Sequence, residues 1–352
     1  MNSKHTQTSS RAISNWLLIG VLMILVQVIL GGITRLTESG LSITEWKPIT
    51  GALPPMNETA WQLEFAKYQH TDQFRYIHAD FSLKDFKLIF FWEWFHRLWG
   101  RLLGVVFIAG FVYFLAKRKL QRDMVAPLVI LFLLGAMQAI IGWLMVKSGL
   151  VPEKMFVGHI ELTTHFIAAM VLLCYTLWFA LRLRIPPADL LVDKPLKNLT
   201  VTILTFLFIQ LIYGAFMAGL KAATAAPTWP DINGAAIPDA INQLTPWWKN
   251  LIDNKIMVQF VHRTMAYVLV FLSIIWYIRA RKIIGNALLN KTRWLPLGII
   301  IFQLILGICT VLRSPYGNDL VYLGVAHQLT GLLFLMVMVW MIYLIRYPKG
   351  SA

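Results

Sequence analysis

Long hydrophobic stretches separated by short polar segments dominate the pattern along the chain. Eight of these stretches are long enough to cross a bilayer as helices, for which about 20 mainly apolar residues are needed. The predicted spans cover residues 14–34, 88–115, 124–146, 157–181, 198–220, 256–278, 294–312 and 320–345. The pattern therefore predicts an all-α polytopic membrane protein with eight transmembrane helices.

Composition agrees with this prediction. The 352 residues are 58% hydrophobic and only 14% charged, with a mean hydropathy of +0.63, whereas a soluble domain carries more charge. The net charge of +15 could indicate nucleic-acid binding. The basic residues, however, gather in short segments between apolar runs, where membrane orientation requires them. We therefore expect membrane lipid around the chain and no nucleic-acid partner.

The distribution of charge also predicts the orientation. The N-terminal tail, three short connections and the C-terminal tail together hold 17 Lys or Arg and only three acidic residues. The positive-inside rule places these segments, and both termini, in the cytoplasm of a cell whose inner membrane holds the protein. Loops 35–87 and 221–255 then face outward. The first span follows a polar tail without a small-residue cleavage site, so we expect a retained anchor and no cleaved signal.

The sequence contains an internal repeat. One constant offset along the chain relates the pairs Gln27/Gln210, Gly31/Gly214, Trp46/Trp229 and Gly51/Gly234. Gln-x-x-x-Gly also occurs at Gln138–Gly142 and Gln303–Gly307. We expect two tandem four-helix bundles, residues 1–185 and 186–352, related by a pseudo-two-fold axis along the membrane normal. The shared Gln and Gly are interpreted as interhelical packing and hydrogen-bonding positions.

Four histidines occupy matching places in the two copies. They are His96 and His165 in the first copy and His262 and His327 in the second, each about two turns into its span from the outward end. Two facing imidazoles in a bundle can bind the iron of a haem from opposite sides. A lone intramembrane His is often an interhelical contact, but four at matching positions favour haem ligation. Zinc is less suitable, because two His per site are too few ligands.

The remaining histidines and the cysteines call for no special chemistry. His5 lies in a tail, His70 and His78 in an outer loop where we expect exposed side chains, and His159 at the rim of its span. Cys174 and Cys309 lie inside apolar runs and are interpreted as small core residues.

Two charged positions accompany the paired histidines. Arg97 and Arg263 directly follow His96 and His262. Each could contact the propionates of a haem, or its side chain could simply reach the headgroup region. The two interpretations stay open at this point.

An asymmetry separates the two copies. Glu93 lies three residues before His96, whereas Gln259 lies three residues before His262, each on the same helix face as its histidine. A Glu can exchange a proton or stabilise a developing cation, and a Gln cannot titrate. We therefore predict a reacting haem beside Glu93 and an electron-transfer haem in the second copy. The alternative for Glu93 is a structural partner of an Arg or Trp.

The outer loop also contains a candidate helix. The segment ETAWQLEFAKYQHTDQFRYI, residues 58–77, has apolar residues near helical spacing and predicts an amphipathic helix at the membrane surface. Such a helix could cover the mouth of the first site.

The residues together resemble a known family. The run GGITRLTESGLSITEWKPITGALPP, the element EWFHR and the paired His helices resemble haem A synthases, and in particular the proteobacterial and mitochondrial branch. The resemblance covers about residues 15–345, and the outer-loop run is its most specific part. The sequence lacks the paired outer-loop cysteines of another branch, so a thiol role proposed there cannot operate here.

The resemblance implies an oxidoreductase that converts the C8 methyl of haem O to a formyl group, giving haem A for terminal oxidases. It implies that His96 and His165 hold the substrate haem, that His262 and His327 hold a haem b cofactor, and that Glu93 is catalytic. Contact with haem O synthase is plausible, because haem O is too apolar to diffuse freely through water. The sequence names neither the electron donor nor the oligomeric state.

Two other classes of function compete with this interpretation. A di-haem b membrane electron carrier, such as a quinone-linked cytochrome b, would hold two permanent haems and make no product. A haem transporter or chaperone would also bind haem near the outer side. The Glu93/Gln259 difference and the outer-loop run argue against the carrier, while the same difference disfavours the transporter only weakly.

Overall fold

The computed structural model describes residues 2–346, and their side chains from Ser10 onward. The expectations for His5 and for the tail beyond Arg346 lie outside these described residues. The helices are α1 Asn2–Leu36, α2 Glu58–Gln69, α3 Asp72–Ile77, α4 Leu83–Ala116, α5 Arg122–Gly149, α6 His159–Arg184, α7 Lys194–Gly219, α8 Asn250–Asp253, α9 Lys255–Ala280, α10 Ala287–Thr292, α11 Leu295–Leu312 and α12 Gly317–Leu344. Within the described residues, β-type pairing is limited to one isolated bridge between Ile232 and Ala235.

All eight predicted spans are confirmed. The helical segments long and apolar enough to cross a membrane are Ser10–Leu36, Leu83–Ala116, Arg122–Gly149, His159–Arg184, Lys194–Gly219, Lys255–Ala280, Ala287–Leu312 and Gly317–Leu344. Each predicted span overlaps one of them, with ends that differ by a few residues. The protein is therefore an all-α, multi-pass membrane protein.

The seventh span begins earlier than the apolar pattern predicts and is interrupted. Residues 293 and 294 form a turn between α10 and α11, just before Pro296. A proline has no N–H to donate and disfavours helical backbone in the residue before it. The Arg293 guanidinium donates to the carbonyl oxygens of Ala280 and Arg281 at 3.4 and 3.3 Å, which ties this turn to the end of α9.

Contacts group the chain into two compact units. The first unit is residues 22–172, and the second unit is residues 2–21 with 173–346. Helices α1 and α6 each pass from one unit to the other. Within the second unit, the Ser14 hydroxyl donates to the Ala180 carbonyl at 3.0 Å, which joins the N-terminal part of α1 to the C-terminal part of α6. The division of the repeat at residues 185 and 186 stays a prediction.

The second unit contains a closed four-helix arrangement. Helix α7 packs on α9, α9 on α11, α11 on α12 and α12 on α7. Asp193 caps α7 by accepting from the Leu196 N–H, and Asn254 caps α9 by accepting from the N–H groups of Ile256 and Met257.

The first unit links α1, α4, α5 and α6 through side chains. Trp99 of α4 donates to the Met23 carbonyl of α1 at 2.8 Å. Phe107 of α4 stacks on Phe132 of α5 with ring centroids 6.3 Å apart. Gln138 joins α5 to α6, as described below.

The predicted outer-loop helix is confirmed as helical, but it is two helices. Helix α2 ends at Gln69, and Thr71 caps α3 by accepting from the Phe74 N–H. The apolar side of α2 packs against the start of α4 in a cluster of buried rings and aliphatic groups. The buried members are Phe65, Tyr68, Phe86, Ile89 and Phe90. The period-based prediction missed the break because a capping Thr changes the chain direction without interrupting the apolar pattern.

Candidate functional site

The four histidines lie on four different helices, two in each unit. In the first unit His96 is on α4 and His165 on α6. In the second unit His262 of α9 lies beside His327 of α12, with ring centroids 6.3 Å apart and ring planes at 70°. The structure therefore brings together the two histidines that the sequence pairs in the second unit.

A glutamine amide on a neighbouring helix contacts each histidine. In the first unit the amide nitrogens of Gln27 and Gln138 donate to the backbone carbonyls of His96 and His165 at 3.2 and 3.1 Å. Each also lies within 3.3 Å of a ring nitrogen of the same histidine. These contacts are the interhelical hydrogen bonds that the sequence interpretation expected, and their partner is the paired histidine.

The second unit repeats this contact. Gln210 Nε2 lies 3.4 Å from His262 Nε2, and Gln303 Nε2 lies 3.3 Å from His327 Nε2. The same amide therefore meets the same kind of ring in both units.

The glycine of each Gln-x-x-x-Gly lies against the histidine ring, one helical turn from the glutamine. A Cβ built on these glycines would come 2.8–3.3 Å from the Cε1 atom of a histidine ring. The pairs are Gly31 with His96, Gly142 with His165, Gly214 with His262 and Gly307 with His327. Only a residue without a side chain leaves the rings where they are, so the recurring motif is a cradle for the histidines.

The arginine after the first histidine of each pair binds the long loop of its own unit, 35–87 in the first unit and 221–255 in the second. Arg97 donates to the carbonyls of Ile43 and Glu45 at 3.0 and 3.3 Å. Arg263 donates to those of Ala226 and Thr228 at 3.2 and 2.7 Å. Ala226 and Thr228 are the residues that match Ile43 and Glu45 in the second copy, at the same offset that relates Gln210 to Gln27.

These contacts to loop carbonyls are a third role for the arginines, beside the propionate contact and the headgroup contact that their positions in the sequence predict. Both guanidinium groups hold a loop backbone against a transmembrane helix. A guanidinium has five N–H donors, so a propionate contact would use donors that the loop carbonyls do not occupy.

Glu93 is buried, with 2% of its surface exposed. Its Oε2 accepts from the Ser42 hydroxyl at 2.7 Å and from the Ile43 N–H at 2.8 Å, and its Oε1 accepts from Arg97 at 2.5 Å. A buried carboxyl group with a guanidinium and two further donors around it is held in one orientation.

Gln259, the counterpart of Glu93, reverses the direction of the loop contact. Its amide nitrogen donates to the Ala226 carbonyl at 3.1 Å. Glu93 instead accepts from the N–H of Ile43, which is the position that matches Ala226. Ala225 stands where the first unit has Ser42. The two sites therefore share a backbone arrangement and differ in one charge and one hydroxyl.

The paired histidines fit a haem better than a bare metal ion. Among the described residues no group of three or more His, Cys, Asp or Glu could hold a metal. Nδ1 of His262 and of His327 is buried and has no hydrogen-bond partner within the described part of the chain, so each ring keeps a nitrogen for iron.

One expectation about the other histidines is wrong. His78 is buried, with 6% of its surface exposed, because it stacks on Phe81 with ring centroids 3.9 Å apart and its Nδ1 lies 2.6 Å from the Tyr68 hydroxyl. His70 is exposed as expected, and His159 begins α6 at the rim of its span. Cys174 and Cys309 are free thiols within α6 and α11.

Comparison with known proteins agrees with this geometry. The family model described as cytochrome oxidase assembly protein, COX15-CtaA, matches residues 14–339. A haem A synthase of Parvibaculum lavamentivorans is 40% identical over 344 residues, covering 96% of this chain and 95% of its own. One of Rhodospirillum centenum is 40% identical over 349 residues, with coverages of 98% and 91%. One of Cereibacter sphaeroides is 37% identical over 353 residues, with coverages of 96% and 89%.

The fold and the site define the class first: this is a multi-pass membrane protein with two pairs of intramembrane histidines. The match over nearly the whole length then gives the family. The chain belongs to the COX15-CtaA family of cytochrome oxidase assembly proteins, and its similar relatives in proteobacteria are named haem A synthase.

Proposed function

We propose that the protein is a haem A synthase, an enzyme that oxidises haem O to haem A. The observation that carries this conclusion is its likeness to haem A synthases over nearly the full length of both chains. The two histidine pairs supply the chemistry that such an enzyme needs, because paired neutral imidazoles are haem ligands. The same likeness favours a synthase over a di-haem electron carrier or a haem transporter.

The two histidine pairs have different tasks in this proposal. His96 and His165 bind the substrate, haem O, and His262 and His327 bind haem b. The difference between the carboxylate of Glu93 and the amide of Gln259 supports this division, because only the first site has an ionised group beside its histidine. Haem b, when bound, supplies one-electron transfer. Its electron donor or acceptor is a separate redox partner.

The substrate chemistry takes place at the C8 methyl of haem O. Two successive oxidations convert the methyl to an alcohol and then to a gem-diol, which loses water to leave the formyl group of haem A. Each oxidation breaks a C–H bond and forms a C–O bond, with the oxygen atom taken from water or from O2. With water as the source, the step releases two electrons and two protons; with O2 as the source, the redox partner supplies two electrons, two protons are taken up, and the second oxygen atom leaves as water. Glu93 stabilises the positive charge that develops at the reacting carbon, or accepts a proton from it. The ion pair with Arg97 and the hydrogen bonds from Ser42 and Ile43 support the electrostatic task, since they hold a fixed anion.

The setting of the enzyme is also part of the proposal. We place it in the cell inner membrane with both termini in the cytoplasm and the haem sites toward the outer side, where loops 35–87 and 221–255 lie. Haem O is strongly apolar, so direct contact with haem O synthase is a plausible route for the substrate. Arg97 and Arg263 remain candidate contacts for haem propionates through their remaining donors.

Matched histidine variants test the division of tasks. The unsubstituted protein, His96→Ala and His262→Ala are purified from cells supplied with haem O, and their haems are extracted and separated by chromatography. We expect His96→Ala to lose haem O and haem A but keep haem b, and His262→Ala to lose haem b but keep haem O. The same haem missing from both variants, or only haem b in the unsubstituted protein, would contradict the proposal.

A further inference from the structure

Helix α1 ends in an unusual residue. The Ser39 N–H donates to the Thr34 carbonyl at 2.9 Å and the Glu38 N–H to the Arg35 carbonyl at 3.4 Å, which is the Schellman arrangement. Glu38, at the position where glycine is usual, has a φ of 58°. Left-handed backbone is unfavourable for a residue with a side chain. Something specific to the Glu38 side chain or its surroundings must offset this cost.

Glu38 belongs to a closed ring of polar contacts with the outer helices. The Gln73 amide donates to the Glu38 carbonyl at 3.1 Å, and the Tyr68 hydroxyl donates to Gln73 Oε1 at 3.0 Å. His78 Nδ1 lies 2.6 Å from that hydroxyl, and His78 Nε2 lies 3.4 Å from the Glu38 carboxylate. The ring therefore fixes Glu38 through both its backbone and its side chain.

Three of the four members of this ring, Tyr68, Gln73 and His78, are buried although they lie outside the membrane spans, while the Glu38 side chain is partly exposed. Tyr68 has no exposed surface and Gln73 has 1%. Burial raises the pKa of the Tyr68 hydroxyl, and the charges of Glu93 and Glu38 raise it further. The hydroxyl therefore keeps its hydrogen, and buried polar groups that are all satisfied specify one arrangement.

A short strap connects this ring to the carboxylate of Glu93. The strap is residues 37–43, which follow α1 directly. One end is fixed at Glu38 by the ring, and the other end supplies the Ser42 hydroxyl and the Ile43 N–H that hold Glu93 Oε2. Within the strap, the Ser42 N–H donates to the Ser39 carbonyl at 3.2 Å. A displacement of Glu38 would therefore move both donors.

The second unit has the same turn but not the ring of polar contacts. Lys221 is the residue that matches Glu38 at the offset between the two copies. It has a φ of 53°, and its N–H donates to the Ala218 carbonyl at 3.4 Å. A lysine there offers no carboxylate to a histidine, and the uncharged Gln259 stands at the place of Glu93. The turn is thus common to both copies, and the carboxylate of Glu38 occurs in the copy that carries Glu93.

We propose that Glu38, Tyr68, Gln73 and His78 are positioning residues that hold the strap, and through it Glu93, in the orientation that the oxidation of haem O requires. This inference rests on the proposed function. The four residues do not touch the substrate and act through Ser42 and Ile43. Their loss therefore affects the rate of the chemical step and leaves substrate binding unchanged.

Three substitutions in the ring of polar contacts test this inference. Glu38→Gly removes the carboxylate but suits the left-handed backbone, Glu38→Gln supplies an amide that can either donate to or accept from His78 Nε2, and Tyr68→Phe opens the ring. His70→Ala, an exposed position between α2 and α3, is the matched control. Conversion of haem O, KM for haem O, haem b content and accumulation of the alcohol intermediate are measured for each purified protein.

We expect Glu38→Gly and Tyr68→Phe to lower kcat by about 10- to 100-fold, with accumulation of the alcohol and with unchanged KM and haem b content. Glu38→Gln restores part of the rate, and His70→Ala behaves as the unsubstituted protein. An unchanged kcat in Glu38→Gly and Tyr68→Phe overturns the inference. A change in KM without a change in kcat overturns it as well. Loss of haem b together with activity in all three variants shows a general structural role and also overturns it. Failure of the unsubstituted protein to convert haem O contradicts the proposed function itself.

Discussion

At the scale of single residues, the same contact recurs at all four histidines. Each histidine has a glutamine amide from a neighbouring helix within 3.4 Å and a glycine facing its ring. The histidine thus has a fixed place on a packed interface before any haem enters. A ligand held in place by its surroundings loses little conformational freedom when it binds iron.

A methyl group at the glycine tests this cradle. In Gly307→Ala the new Cβ would lie 2.9 Å from His327 Cε1, so the ring must move. We expect haem b content to fall far below that of the unsubstituted protein, with an altered absorption spectrum of what remains. Gly298→Ala, on the same helix with its nearest contact at 3.6 Å, is the control and should keep haem b. Equal haem b in both variants would show that the cradle is unimportant.

The sequence predicted the four histidines and Glu93, and it predicted interhelical contacts for the recurring Gln and Gly. It could not show that these contacts are made to the histidines, because spacing along a helix does not name the partner on another helix. Ser42 was missed entirely, since a serine in a polar loop carries no periodic signal. The burial of His78 was missed because it depends on the packing of α2 and α3 rather than on local polarity.

At the scale of elements, the main outer helix is held by apolar packing against α4. Phe86 stacks on Tyr68 with ring centroids 5.4 Å apart and lies 5.1 Å from the ring of Phe65. Outer segments that dock on a transmembrane helix in this way can hold the strap in place, whereas a helix lying free on lipid could not. The spacing of apolar residues predicted the helix but not its packing on α4. An apolar face can contact either lipid or another helix, and the pattern does not tell these apart.

Phe86→Ala tests the docking of α2. Removing a fully buried Phe costs about 3–5 kcal/mol, so we expect faster backbone hydrogen exchange throughout residues 58–77. Leu63→Ala, at a position on α2 with 59% exposure, should leave exchange unchanged. Slow exchange in both variants would mean that α2 is held by other contacts.

The arginine clamps are the second feature at this scale. Arg263 donates three hydrogen bonds to loop carbonyls, those of Ala226, Thr228 and Asp231, and a lysine cannot reproduce this planar set of donors. The loss of one hydrogen bond to a charged group costs about 1.5–3 kcal/mol. We expect Arg263→Lys to lower the thermal melting temperature, which is measured through the haem b absorption. Lys249→Arg, an exposed loop position, should melt as the unsubstituted protein; an unchanged melting temperature for Arg263→Lys would contradict the clamp.

At the scale of the whole molecule, eight spans and a biased distribution of charge predict the topology. The spans themselves follow from hydropathy and are confirmed. The repeat is supported by contacts that recur at matching positions of the two copies, such as Arg97 with Ile43 and Arg263 with Ala226. The compact units nevertheless do not end at the predicted boundary of the repeat, because the N-terminal part of α1 and the C-terminal part of α6 pack together in the second unit. A repeat read from sequence cannot show such sharing.

Single cysteines test the orientation. With Cys174 and Cys309 replaced by serine, cysteine is introduced at the exposed positions Lys117 and Lys282, predicted inside, and His70 and Gln243, predicted outside. A thiol reagent that cannot cross the membrane should label the outer pair in intact cells and all four positions after permeabilisation. Labelling of Lys117→Cys or Lys282→Cys in intact cells would reverse the proposed topology.

The most direct test of the account is the haem content of Glu93→Gln beside the unsubstituted protein, both expressed with a supply of haem O. The substitution keeps an acceptor for the Ile43 N–H and gives the first site the uncharged side chain of the second. Glu58→Gln, an exposed carboxylate on α2, is the control. The account predicts haem A from the unsubstituted protein and the control, haem O or a hydroxylated product from Glu93→Gln, and haem b in all three. Undiminished haem A from Glu93→Gln would contradict it.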